Sequence, residues 1–97
     1  MDQEKSNKKK EISRAVALKY EPSRNSAPTV AAVGRGWLAE RIITLAKENK
    51  VPIIEDKTMV KILGNLSLGE EVPAELYEAV AAIYAFILEA DRRQSNL

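Results

Sequence analysis

The sequence predicts a small α/β domain: a mixed sheet of about three strands, a β-hairpin plus one parallel βαβ crossover, covered by three helices. Three observations carry this. Two short Ala/Val-rich runs flank a polar, proline-containing turn in AVALKYEPSRNSAPTVAAVG, residues 15–34. Three stretches with helical spacing of apolar residues follow. A short apolar segment, VPII, stands between the first two of them, and strand–helix–strand in this order implies a right-handed parallel crossover.

In chain order, residues 1–13 are polar and charged, with Ile12 the only apolar residue after Met1. Such a segment cannot offset its ordering entropy by burial, so a flexible charged tail is expected. Its Lys8-Lys9-Lys10 run reads as a solvated linker, with binding of acidic lipid or nucleic acid as the other reading. Residues 14–20 form the first strand, and period two sends Val16, Leu18 and Tyr20 to one face. Residues 21–28 connect: Pro22 and Ser23 start a turn, Asn25 tolerates positive φ, and Pro28 holds Ala27 extended. Residues 29–33 form the second strand, paired antiparallel with the first. Gly34 and Gly36 mark a strand-to-helix turn of unusual φ. Their spacing lacks the third glycine of a dinucleotide loop and the Lys-Ser/Thr of a phosphate loop.

Residues 37–49 are an amphipathic helix with Leu38, Ile42, Leu45 and Ala46 on one side. Val51-Pro52-Ile53-Ile54 is the third strand, with Pro52 at its start or on an edge. Asp56 or Thr58 caps a short helix bearing Met59, Ile62, Leu63 and Leu66, which Gly64-Asn65 ends. Pro73 opens the last helix at its first position. That helix, 74–91, carries one apolar stripe of Leu76, Val80, Ile83 and Ile87. A second stripe beside it holds Tyr77, Ala81, Tyr84 and Leu88. The arc is wider than one sheet contact requires, so the helix is either clamped between two neighbours or presents part of its face to a partner. Residues 14–91 make the domain, and 92–97 are a frayed end.

Composition excludes several function classes. Fifteen basic and fourteen acidic side chains give no global electrostatic case for nucleic acid or membrane. The absence of histidine and cysteine removes the usual general base, the thiol nucleophile, disulfides and the commonest transition-metal ligands. The serines have no histidine to activate them. Glu55-Asp56 and Glu70-Glu71 read as solvated turn carboxylates. No cofactor, metal or enzymatic activity is expected. No apolar run spans a bilayer and the start has no hydrophobic signal region, so a cytoplasmic protein is expected. Trp37 reads as covering a core edge at a helix start, with an interface anchor as the other reading.

At AVALKYEPSRNSAPTVAAVG the sequence resembles the cytoplasmic carboxy-terminal domain of the FlhB, YscU and SpaS export-switch family. The likeness continues through Leu38-Ala39-Glu40-Arg41-Ile42, Asn49-Lys50-Val51-Pro52-Ile53, Gly69-Glu70-Glu71-Val72-Pro73 and Glu75-Leu76-Tyr77-Glu78-Ala79-Val80. Family proteins carry an amino-terminal membrane domain and cut themselves in an Asn-Pro-Thr-His loop just before the AVAL strand. Here that register holds Lys10, Glu11, Ile12 and Ser13, followed by Arg14. Lysine has no side-chain amide to cyclise, so self-cleavage is not expected.

The resemblance thus implies a free-standing, truncated form matching the fragment that cleavage would release. Its implied function is non-enzymatic: docking export substrates or export-gate components of flagellar or type III secretion, or standing in for the cleaved fragment in the specificity switch. It would meet the membrane only through partners, and a monomer is expected. The family's docking pocket maps onto Ala27, Pro28, Ala81 and Tyr84, with plain core packing as the competing reading. The alternative of a different class is a small basic-tailed binder of nucleic acid or acidic surfaces.

Overall fold

Two strands and three α-helices make the fold, in a computed structural model that describes residues 12–24 and 26–95. The expectations for residues 1–11, including the lysine run and positions Lys10 and Glu11, fall outside the described residues. So do those for Asn25, Asn96 and Leu97. Strand β1 is Arg14–Lys19 and β2 is Thr29–Arg35. They pair antiparallel as a hairpin, with Ala15 opposite Gly34 and Val16 opposite Val33. The register slips between Ala17 and Leu18, because Ala17 faces Ala32 while Leu18 faces Val30. Ala31 is therefore the extra residue of a β-bulge. The bulge turns Val30 and Val33, three residues apart, to the same face as Leu18 and Val16.

Helix α1 is Trp37–Glu48. Gly36 precedes it at φ 58, ψ −124, a conformation that side-chain-bearing residues avoid. At the other end Lys50 adopts φ 59, and the Val51 amide donates to the Ala46 carbonyl at 2.8 Å. The Lys50 amide donates to Lys47, completing a Schellman closure with lysine where glycine is usual. Helix α1 packs on both strands. Ala15, Gly34 and the fully buried Ala39 are the small residues at this contact.

The third strand is the main departure from expectation. Residues 51–56 are exposed and in no ladder, and the sheet among the described residues has two strands, without a parallel crossover. Two donors are missing from VPII: the Val51 N–H closes α1, and Pro52 has none. A different segment borders the sheet instead. The Val72 amide donates to the Pro28 carbonyl at 2.9 Å, Val30 donates to Glu70 at 2.9 Å, and Gly69 donates to Val30 at 2.8 Å. Thr29 and Glu71 form an antiparallel bridge within this run. The α/β class and the three helices stand as the sequence predicts.

Helix α2 is Lys57–Leu63. Asp56, not Thr58, caps it: its Oδ1 accepts from the Met59 amide at 2.9 Å. Replacing Asp56 by alanine orphans that donor and is expected to cost about 1 kcal/mol, read from urea denaturation. Pro73 leads into a 3-10 turn, Ala74–Leu76, before helix α3, Tyr77–Ser95, which runs past the expected end at Asp91. Leu63, Val72 and Val80 form the buried cluster. Val16, Leu18, Met59, Leu66, Leu76 and Tyr84 pack around it. The sheet thus has α1 on its Ala15/Gly34 face, and α2 and the start of α3 on its Val16/Leu18 face.

Candidate protein-docking site

The four residues singled out in the sequence sit in unequal environments. Ala27 is only 2% exposed, so its methyl group lies beneath the surface. Pro28 is half-buried, and its carbonyl is the acceptor for Val72. Tyr84 is half-buried and packs against the Leu63–Val72–Val80 cluster. Ala81 is exposed, one residue after the buried Val80. Pro28 thus bonds to Val72, a member of the buried cluster against which Tyr84 packs. Among the described residues no hydrogen bond and no shared buried cluster joins Ala81 to Ala27 or Pro28.

The sequence explains this placement. Proline at the head of β2 has no N–H to leave unpaired, and its carbonyl is free to accept from the incoming 69–72 segment. On α3 the helical period turns Val80 inward, and Tyr84, one turn on, follows it. The Tyr84 ring meets that of Tyr20 at a centroid distance of 5.7 Å, tilted by 49°. Such a tilted pair is favourable beyond its area. Burial, and secondarily the nearby Tyr20, push the Tyr84 hydroxyl above its ordinary range, so it stays neutral at physiological pH.

Beyond Tyr84 the helix carries apolar side chains that the domain leaves uncovered. Phe86 is 68% exposed and Leu88 63%. Ile83 and Ile87, from the inward stripe, are half-buried. Of the second stripe, Tyr77, Ala81 and Leu88 are exposed and Tyr84 alone packs on the core. The wide apolar arc is therefore only partly used. Trp37 is 73% exposed, which corrects the core-edge reading: as the first residue of α1 it projects from the helix end and covers no buried cluster. Val72 carries no signal of this role in the sequence, because its pairing with Pro28 is non-local. The Tyr20–Tyr84 pair was likewise hidden by the separation of its members.

The carboxylates serve local structure. Asp56 caps α2, and Glu70 Oε1 accepts from the Ser67 amide at 2.8 Å. Glu21 bridges Lys19 at 3.3 Å and Arg24 at 3.6 Å on the surface, pairs of small energetic weight. Among the described residues no group of three or more acidic, histidine or cysteine side chains is placed to hold a metal. Nor is any helix among them long and apolar enough to cross a membrane.

These features define a small α/β domain with exposed apolar side chains along α3. The model of the FlhB HrpN YscU SpaS family matches residues 12–87, and the chain belongs to that family. It is 42% identical over 85 residues to the uncharacterized protein YlqH of Bacillus subtilis (strain 168), covering 88% of this chain and 91% of that one. The flagellar biosynthetic protein FlhB of Escherichia coli (strain K12) is 37% identical over 79 residues. That match spans 80% of this chain but 21% of FlhB.

The crystal structure of the cytoplasmic domain of FlhB from Shewanella putrefaciens superposes with a TM-score of 0.79 at 30% identity, covering 86% of this chain and 65% of that one. A mutated EscU C-terminal domain gives 0.73 at 28% identity, covering 77% and 92%. The fold is that of the C-terminal domains of export-switch proteins, and the chain is an FlhB-like domain of the flagellar and type III export family.

Proposed function

We propose that this domain is a non-enzymatic docking module of flagellar or type III protein export, working in the cytoplasm at the face of the export apparatus. It holds export substrates or export-gate components, or stands in for the C-terminal fragment of a cleaved export-switch protein, and does not cleave itself. The docking surface consists of Pro28, Ala81 and Tyr84, with the buried Ala27 next to Pro28 in the chain. It needs no cofactor and acts as a monomer, meeting the membrane only through its partners.

The observation that carries this reading is the apolar outer stripe of α3, which the domain's own core leaves uncovered beside Tyr84. A single apolar stripe would suffice to seat the helix; a second one suits a partner. Ala81 offers the cleanest test because it is exposed, so a larger charged side chain there spares the core. Purified full chain is titrated with flagellar export substrates and with export-gate cytoplasmic domains by calorimetry. Ala81→Glu is expected to weaken binding at least tenfold with an unchanged circular dichroism spectrum, and Tyr84→Ala to weaken it while also lowering stability. Binding by Ala81→Glu equal to that of the native chain, or no binding of any component by the native chain, would overturn the docking role.

A further inference from the structure

Arg14 and Arg35 stand directly opposite each other at the open end of the hairpin. The Gly36 amide donates to the Ser13 carbonyl at 2.7 Å, which makes 13 and 36 a bonded pair. Bonded and non-bonded pairs alternate in an antiparallel ladder, so 14 and 35 form a non-bonded pair, the kind with the closer side chains. Period two puts both on the face of Val16 and Val33. Both arginines are exposed, and among the described residues neither guanidinium has a hydrogen bond or an ion pair. Like charges directly opposite are destabilising, so stability does not account for this pair.

A small cleft opens beside the two arginines. Its walls are Arg14, Val16, Val33 and Arg35 from the sheet, with Val60 and Gly64 from α2 and its end. Its volume is about 10 Å³, close to the room that one water-sized group takes. No acidic residue lines it. Gly64 leaves it open, since a Cβ built there would stand 4.0 Å from Val16 Cγ2. The cleft thus combines two guanidiniums with the methyl groups of three valines.

We propose that this end of the hairpin is a second interaction surface, which binds an acidic segment of another protein. One carboxylate bridges Arg14 and Arg35, and a small aliphatic side chain next to it enters the cleft. Guanidinium groups hold carboxylates through charge-assisted bonds, and the bound carboxylate offsets the repulsion within the pair. The segment meets side chains of both strands on the face of the sheet, not a backbone edge. The apolar walls have no use for a phosphate, and they give no aromatic platform for a base. A net charge of +1 gives no long-range pull toward nucleic acid. Anionic bilayers are held by clusters of about four to eight cations, whereas Glu40 stands exposed in the first turn of α1 at this same end. Trp37, 73% exposed and two residues beyond Arg35, is of the type that anchors protein interfaces together with arginine. Residues 1–11 carry four lysines against three acids, so this chain's own tail brings more positive charge than negative. The surface shares no residue with Pro28, Ala81 and Tyr84, so it stands or falls apart from that site.

The test titrates the full chain, followed by NMR, with a synthetic peptide holding Glu-Val-Glu between glycines. The Arg14 and Arg35 side-chain Nε–H signals are expected to shift together and saturate. A Gln-Val-Gln peptide is expected to bind roughly tenfold more weakly, because bonds to a charged group are lost. A Glu-Ser-Glu peptide is expected to bind about threefold to tenfold more weakly, because the methyl groups are lost. Arg35→Gln is expected to weaken the first peptide roughly tenfold while Tm stays level or rises, since a repulsion is removed. Parallel arms use inorganic phosphate, a single-stranded thymidine oligonucleotide and phosphatidylglycerol vesicles. No saturable shift, equal binding of Gln-Val-Gln, or a tighter response to any of these three anions overturns the proposal. So does a fall in Tm for Arg35→Gln, which would make the pair structural. A marked gain in peptide binding on deleting residues 1–11, or a dimer in sedimentation that the peptide dissociates, would assign the surface to this chain itself and overturn it as well.

Discussion

Replacing Gly34 by alanine is expected to destabilise the domain by about 2–3 kcal/mol, lowering Tm by roughly 10–20 °C. In an ordinary strand the same change would help, because glycine costs about 0.5–1 kcal/mol relative to alanine in backbone entropy. Here a Cβ would stand 2.8 Å from the Leu38 carbonyl carbon, 2.9 Å from the Ala39 nitrogen and 2.8 Å from Ile42 Cδ1. Ile42 can turn its methyl aside, but Leu38 and Ala39 present backbone of the first turn of α1. Relief requires the helix to lift from the sheet, which opens the contact over Ala15 and the fully buried Ala39. The strain is steric alone, since the only positive-φ glycines are Gly36 and Gly69 among the described residues. Thermal denaturation checks it: an unchanged or raised Tm for Gly34→Ala would mean that α1 does not approach this closely.

That glycine illustrates which parts of the fold were legible in the sequence. The positions of Gly34 and Gly36 announced a strand-to-helix turn, but not that one relaxes φ while the other admits a helix. Local signals carried well: the two Ala/Val runs became β1 and β2, Asp56 became the cap of α2, and the 3.6-residue spacing of 37–49 became α1. Non-local pairing did not carry. VPII has the composition of a strand, yet Val51 spends its N–H on Ala46 and Pro52 has none. Meanwhile Gly69–Val72, with turn composition, lies along β2 through Val30 and Pro28. Composition specifies what a segment tolerates, and hydrogen-bond partners are settled by the rest of the domain. The bulge at Ala31 was invisible for the same reason: it breaks the period of two that strand reading assumes.

The candidate site was legible as a set of names but not as an arrangement. The two stripes of α3 could be counted from the sequence; which one faces the core depends on where the 69–72 segment puts Val72. With Val72 held against Pro28, Val80 turns inward and Tyr84 follows it, while Ala81 turns out. Burial of Ala27 follows from its place just ahead of Pro28, at the head of the edge that this segment closes.

Truncating Leu63 to alanine is expected to cost about 3 kcal/mol, within the range for buried leucines, whereas Phe86→Ser is expected to stay within about 0.5 kcal/mol of the native chain. Leu63 is buried at the end of α2 and touches the same cluster as Val72 and Val80. Its loss leaves a cavity bounded by three elements of different sequence distance, so no single side chain can collapse into it. Against a usual stability of about 5–15 kcal/mol this is a large fraction of the total. Phe86 is as hydrophobic as Leu63 but stands mostly in solvent, so its removal takes little area out of the folded state. The contrast, measured by urea denaturation of both variants, separates apolar residues that hold the domain from those that it presents. A loss of 2 kcal/mol or more for Phe86→Ser would mean that Phe86 is covered in the folded chain. A near-neutral result leaves α3 seated by Val80 and Tyr84 near its start, with Phe86 adding little to the fold.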